Sequence, residues 1–197
     1  NDEILSRARK LVEEKKYDQA IEEYKKIDDW IHRNPSLVIE FARVNTYADR
    51  HPQAIMLFEE TRTSHPERSI EVLRELGDQY KWNKNLPKAI ETYEEALKND
   101  PENIDIEIGL AEALAWNGKH YQAIKRYDKI LKKDPNCIKA LLAKAEVLSW
   151  MDRLEESQKI YKRVLELDPG NLKALIGEAR VLVWGGYHRK GAAKYEA

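Results

Sequence analysis

Apolar residues recur along this chain at helical intervals, and small residues recur with them. In the segment Ala89, Ile90, Tyr93, Ala96, Leu97 the apolar positions fall one, three or four apart, the spacing of one helix face. The same face returns all along the chain, separated by short polar turns such as Asp100-Pro101-Glu102-Asn103 and Asp168-Pro169-Gly170-Asn171. Asn103 and Asn171 are suited to accept hydrogen bonds from the first free amides of a following helix. The pattern predicts an all-α chain of short antiparallel helices.

The spacing between faces is regular. Ala20-Ile21, Ala54-Ile55, Ala89-Ile90 and Ala123-Ile124 follow one another at 34, 35 and 34 residues, and Ser157 and Gly191 continue the series. We divide the chain into six copies, 1–34, 35–69, 70–103, 104–137, 138–171 and a truncated 172–197, forming one array. Position 8 of each copy is small (Ala8, Ala42, Gly77, Ala111, Ala145, Ala179), and so is position 20. Position 24 is aromatic in all six: Tyr24, Phe58, Tyr93, Tyr127, Tyr161 and Tyr195. Small residues let two helices approach, and the ring fills the space beside them. In the first copy the run Asp29-Trp30-Ile31-His32 precedes Pro35, which predicts a lengthened second helix. Lys144 and Glu178 share position 7 in adjacent copies and predict an inter-repeat ion pair.

These residues resemble the tetratricopeptide repeat family along the whole chain. The resemblance implies helix pairs stacked as a right-handed superhelical solenoid, with a concave groove lined by the first helices. One hairpin cannot bury its apolar face alone, so each depends on its neighbours. The sixth copy lacks most of a second helix. We therefore expect the protein to continue past Ala197, and the open copy to offer a surface for end-to-end self-association.

Position 13 is the most unusual. It reads Glu13, Tyr47, Trp82, Trp116, Trp150 and Trp184. At about 100° per residue it points away from the partner helix, on the side shared by positions 2, 5, 9 and 12. Two readings stand. The indoles cement neighbouring first helices, or they form a ladder with rungs ~10 Å apart that binds a ligand. Beside them, position 9 supplies Asp78, Glu112 and Glu146, with Arg9, Arg43 and Arg180 toward the ends. An acidic middle favours a basic peptide, or a cationic or neutral sugar polymer. The candidate groove is thus Tyr47, Trp82, Trp116, Trp150, Trp184, Asp78, Glu112 and Glu146.

Composition narrows the function classes. Charged residues make up 35% of 197, more than usual, as suits a thin array with much surface. Lys plus Arg number 34 against 35 Asp plus Glu, so no basic domain marks a nucleic-acid binder. The single Cys137 excludes an internal disulfide and a cysteine metal cluster. None of His32, His51, His65, His120 and His188 has metal-ligand spacing. No phosphate loop or paired acid and base is found, so we expect no enzyme, no cofactor and no metal. No apolar run is long enough to cross a membrane.

The expectation is a non-catalytic scaffold for protein or peptide partners, with polysaccharide as a second ligand class. Leu114-Ala115-Trp116-Asn117-Gly118 and Leu148-Ser149-Trp150-Met151-Asp152 resemble the Leu-x-Trp-x-Gly turns of periplasmic repeat regions in bacterial outer-membrane exopolysaccharide secretion proteins. Asp152 departs from the glycine. That resemblance implies a periplasmic role in polymer export or assembly. The alternative is a cytoplasmic adaptor binding peptides or helices. Chaperone adaptors of the family clamp a carboxylate with Lys and Asn on first helices. Here positions 5 and 9 read Ile108/Glu112, Leu142/Glu146 and Ile176/Arg180, so that clamp is missing.

Overall fold

The computed structural model describes residues 1–186, and every regular element among them is helical. The chain forms two compact units, Asn1–Pro101 and Glu102–Ala197. Tyr195, Gly191, His188 and the second half of the sixth copy lie outside the described residues.

The first unit runs through α1 (Asp2–Glu13), α2 (Tyr17–Lys25), α3 (Asp28–Ile31), α4 (Pro35–Tyr47), α5 (His51–Ser64), a 3-10 turn at Pro66–Arg68, α6 (Ser69–Trp82) and α7 (Leu86–Asn99). The second contains α8 (Ile104–Trp116), α9 (His120–Lys133), α10 (Ile138–Trp150), α11 (Leu154–Leu167) and α12 (Leu172–Trp184). Within each unit, a helix packs chiefly on those just before and after it in sequence. In the second unit, α8 also touches α10, and α10 touches α12, so first helices form one layer and second helices another.

The predicted columns are the core. Ala8, Ala42, Ala111, Ala145 and Ala179 are wholly buried, as are Ala20, Ala54, Ala89, Ala123 and Ser157. Ser157 donates its hydroxyl to the carbonyl of Ala145 at 2.7 Å, so the one polar member of its column is satisfied across the hairpin. The rings of Tyr24, Phe58, Tyr93, Tyr127 and Tyr161 are all buried. Their fit is close. A Cβ on Gly77 would stand 2.5 Å from Tyr93, and one on Gly177 would stand 2.3 Å from Tyr161.

Helix ends follow local chemistry. The side chains of Asn34, Asn85, Asn103 and Asn171 each accept a backbone amide of the first turn that follows. Between first and second helices the chain turns through one left-handed residue: Lys15, Asp49, Lys84, Gly118, Asp152 or Gly186. In the first five turns the next amide reaches back five residues, for example Lys119 N–H to Leu114 O at 2.9 Å. That bond closes the helix end in a Schellman motif.

Two expectations are corrected. The second helix of the first copy is not lengthened. It ends at Lys25, and a separate turn, α3, begins at Asp28. Asp28 and Asp29 would oppose the dipole at the end of a continuing helix, but they favour the start of a new one. Lys144 does not pair with Glu178. Its ammonium lies 2.5 Å from Asp128 on α9, because position 7 of α10 faces the preceding second helix.

A candidate binding cleft on the first helices

The inner face of the second unit is built from positions 2, 5, 6 and 9 of α8, α10 and α12. Together they line a cleft of about 610 Å³. Its apolar row is Ile108, Leu142 and Ile176, all at position 5. Ile108 is buried, whereas Ile176 remains 45% exposed. Glu112, Glu146 and Arg180 follow at position 9, and Asp105, Lys139 and Lys173 stand at position 2. Lys139 reaches Asp105 at 3.2 Å, and Arg180 lies 4.0 Å from Glu146.

Position 6 decides whether this face is open. In the second unit it is Gly109, Ala143 and Gly177, and the last two line the cleft. Tyr161 lies against Gly177 and lines the cleft beside it. Burial pushes its hydroxyl up to about 12, with the Glu146 carboxylate adding to the rise and Arg180 opposing it.

In the first unit position 6 is Ser6, Glu40 and Glu75, and on α4 and α6 the two carboxylates fill the same place. Arg9 holds Glu40 through two bonds of 2.8 Å, while Tyr24 donates to Glu40 at 2.6 Å. The Arg9 guanidinium holds the Glu40 carboxyl below its ordinary range, against the opposing effect of burial, with the Tyr24 hydroxyl helping. Arg43 bridges Glu75 and Glu71 at 2.8–3.1 Å. Arg–Glu bridges thus fill position 6 of α4 and α6, whereas α1, with Ser6, borders an open pocket, and small residues leave α10 and α12 open. This switch was readable in the repeat register as Glu40 and Glu75 giving way to Ala143 and Gly177. The position-5 row was visible too, since Ile108, Leu142 and Ile176 are the residues that replace the carboxylate clamp.

Of the sequence-predicted groove residues, the cleft brings together Glu112 and Glu146. Asp78, in the first unit, accepts the Tyr93 hydroxyl at 2.6 Å and lies 3.3 Å from Lys81, so it braces the core. The aromatic residues of position 13 end their helices and stand outside the cleft lining. Tyr47 and Trp82 are 55% and 57% exposed, and Trp116, Trp150 and Trp184 are 43%, 40% and 53% exposed. Tyr47 packs on Tyr17 with ring centroids 5.5 Å apart, Trp150 on His120 at 6.1 Å, and Arg180 sits over Trp184 at 5.8 Å. Each of these three has a neighbour and keeps about half its surface in water, so packing and ligand contact are compatible.

The turn geometry also bears on the Leu-x-Trp-x-Gly resemblance. Gly118 and Gly186 have φ of 75° and 80°, while Lys84 and Asp152 take 61° and 59° in the same turn. The glycine answers a backbone requirement of the hairpin. It carries no information about a polymer.

No helix among the described residues is long and apolar enough to cross a membrane. The family model for the tetratricopeptide repeat matches residues 83–147 and 117–178. No curated protein matches the chain significantly. Solved structures that match include a tetratricopeptide repeat protein from Parabacteroides merdae ATCC 43184, 18% identical with a TM-score of 0.84, covering 99% of this chain and 77% of that one. A thermophilic repeat protein of Thermus thermophilus is 18% identical with a TM-score of 0.70, covering 92% and 98%. YrrB, described as a repeat protein with an unusual peptide-binding site, is 18% identical with a TM-score of 0.59, covering 91% and 89%. The chain has the fold of a tetratricopeptide repeat array, and the model of that family matches it across residues 83–178.

Proposed function

We propose that the chain is a non-catalytic scaffold whose second unit holds an extended segment of a partner protein in the cleft between α8, α10 and α12. The observation that carries this reading is the apolar row Ile108, Leu142 and Ile176, set in an open cleft and flanked on both sides by charge. Apolar pockets with a few polar groups at the edge suit side-chain anchors, and the charged rows fix register. YrrB, which shares the fold, is described as having a peptide-binding site. A peptide array panned on the chain tests the reading. Leu142→Glu should weaken captured peptides by about tenfold or more, about 1.4 kcal/mol, when compared with the parent at a temperature where circular dichroism shows both fully folded, since Leu142 also packs on the core. Unchanged capture by Leu142→Glu would refute the cleft as the site.

The half-exposed indoles of Trp116, Trp150 and Trp184 favour a second reading, a polymer laid along the helix ends. This is the form the scaffold would take in exopolysaccharide export. Oligosaccharide titration followed by tryptophan fluorescence, repeated with Trp150→Ala, reads it directly. The adaptor reading predicts no response.

A further inference from the structure

At the first step of the array, positions 9 and 24 of one copy meet position 6 of the next. The residues there are Arg9, Tyr24 and Glu40, and the Glu40 carboxylate accepts from both others, at 2.8 and 2.6 Å. At the step from α10 and α11 to α12 the same positions are Glu146, Tyr161 and Gly177. The charge at position 9 is reversed, and the side chain at position 6 is gone.

What remains is a polar recess in the wall of the cleft. The Tyr161 ring lies against Gly177, and its hydroxyl oxygen would stand 2.8 Å from a Cβ placed there. Tyr161 is 4% exposed and lines the cleft, and its hydroxyl has no hydrogen-bond partner among the described residues. Arg180 follows Gly177 by three residues, on the same face of α12. Its guanidinium lies 4.0 Å from the Glu146 carboxylate, too far for a direct hydrogen bond. The two groups therefore attract each other without using their donors and acceptors on one another. Both also act on the Tyr161 hydroxyl, in opposite senses. An anionic tip entering the recess would meet Glu146, and a cationic tip would meet Arg180. A neutral group with an acceptor and a donor side by side meets neither objection. A primary carboxamide is such a group, because its C=O and one N–H point the same way. A trans peptide bond points them in opposite directions.

We propose that the recess beside Gly177 is a subsite for the side-chain carboxamide of a glutamine or asparagine in the bound segment. Its oxygen accepts from Arg180 and from the Tyr161 hydroxyl, and its amino group donates to Glu146. This rests on the peptide reading above and names a residue that the segment carries. Hydrogen bonds to ionised groups are roughly twice as strong as those between neutral ones, which favours this contact over one made by the backbone of the segment alone.

The test adds Nα-acetyl-glutamine methylamide, and its glutamate and lysine counterparts, to the whole chain with tyrosine side chains isotopically labelled for NMR. We expect saturable shifts of the Tyr161 ring with the glutamine probe at up to about 100 mM, a range suited to the weak affinity of one side chain. The glutamate and lysine probes should bind at least about threefold more weakly, each being opposed by a like charge. Tyr161→Phe keeps the ring packing and should weaken the glutamine probe by about threefold to tenfold, read from backbone amides of α12. Glu146→Gln should improve the glutamate probe, and Arg180→Gln the lysine probe, each by about threefold or more. Equal responses to the three probes would put the contact on the backbone amides they share and would overturn the subsite. So would the lack of saturation with glutamine, or charge variants that leave the order of the probes unchanged. The peptide reading fails separately, if Leu142→Glu leaves array capture intact.

Discussion

Gly77→Ala sets two known effects against each other at one buried site. Alanine is favoured over glycine inside a helix by about 1 kcal/mol. The new Cβ would stand 2.5 Å from Cε1 of Tyr93 and 2.7 Å from Cδ1 and Cζ. Ordinary contacts begin about 1 Å further out. The ring has little room to yield, since it is 1% exposed and its hydroxyl is tied to Asp78. Overpacking of this size costs about 1–3 kcal/mol, so the clash wins by about 1 kcal/mol. For a cooperative unit of this length that lowers the melting temperature by about 4–8 °C. Thermal unfolding followed by circular dichroism reads the shift. In a Tyr93→Leu background the ring is gone, and the same substitution should stabilise by about 0.5–1 kcal/mol. The reasoning fails if Gly77→Ala raises the melting temperature with Tyr93 in place, or acts equally in both backgrounds.

Other outcomes follow from the same structure. Glu40 has its carboxyl held below the ordinary 4.5, so its bonds to Arg9 and Tyr24 contribute stability above that pH and lose it as the pH falls through the lowered value. Melting curves from pH 7 downward should therefore show Glu40→Gln less stable than the parent at neutral pH and converging with it in acid; a constant gap would contradict this. Asp152→Gly should stabilise by about 0.5–1 kcal/mol in chemical denaturation, because a left-handed residue with a side chain gives way to one without. Glu107 is 4% exposed and held by Arg126 at 3.1 Å and Lys129 at 3.5 Å. Arg126→Ala should cost about 1–2 kcal/mol, less than a fully buried pair because Lys129 remains, and Glu107→Leu should cost less than Arg126→Ala.

Much of this fold is visible in the sequence because one helix–helix contact is repeated. Buried Ala, Gly and Ser at positions 8 and 20, with a ring at 24, can be picked out by spacing alone. What escapes depends on which neighbour a side chain meets. Lys144 sits in register with Glu178, yet its ammonium extends to the adjacent second helix and finds Asp128. The Asp28-Asp29 pair starts a new turn because end charge outweighs the apolar period that would extend α2. The tryptophan column drew attention by residue type, but the cleft depends on what is small at position 6, where a missing side chain makes the space. Glu112 and Glu146 were legible as groove residues by wheel geometry. The role of Asp78 was not, because Tyr93 claims it from a second helix.

In the second unit α8 touches α9 and α10, while α12 touches α10 and α11; the chief contacts join neighbours and next neighbours only. Such a body has no keystone. Tension applied at one end should peel away a hairpin while the remainder keeps its contacts, in the manner of a zip rather than a snapped rod. The extension trace of a tethered molecule would then rise in steps, each about one hairpin long.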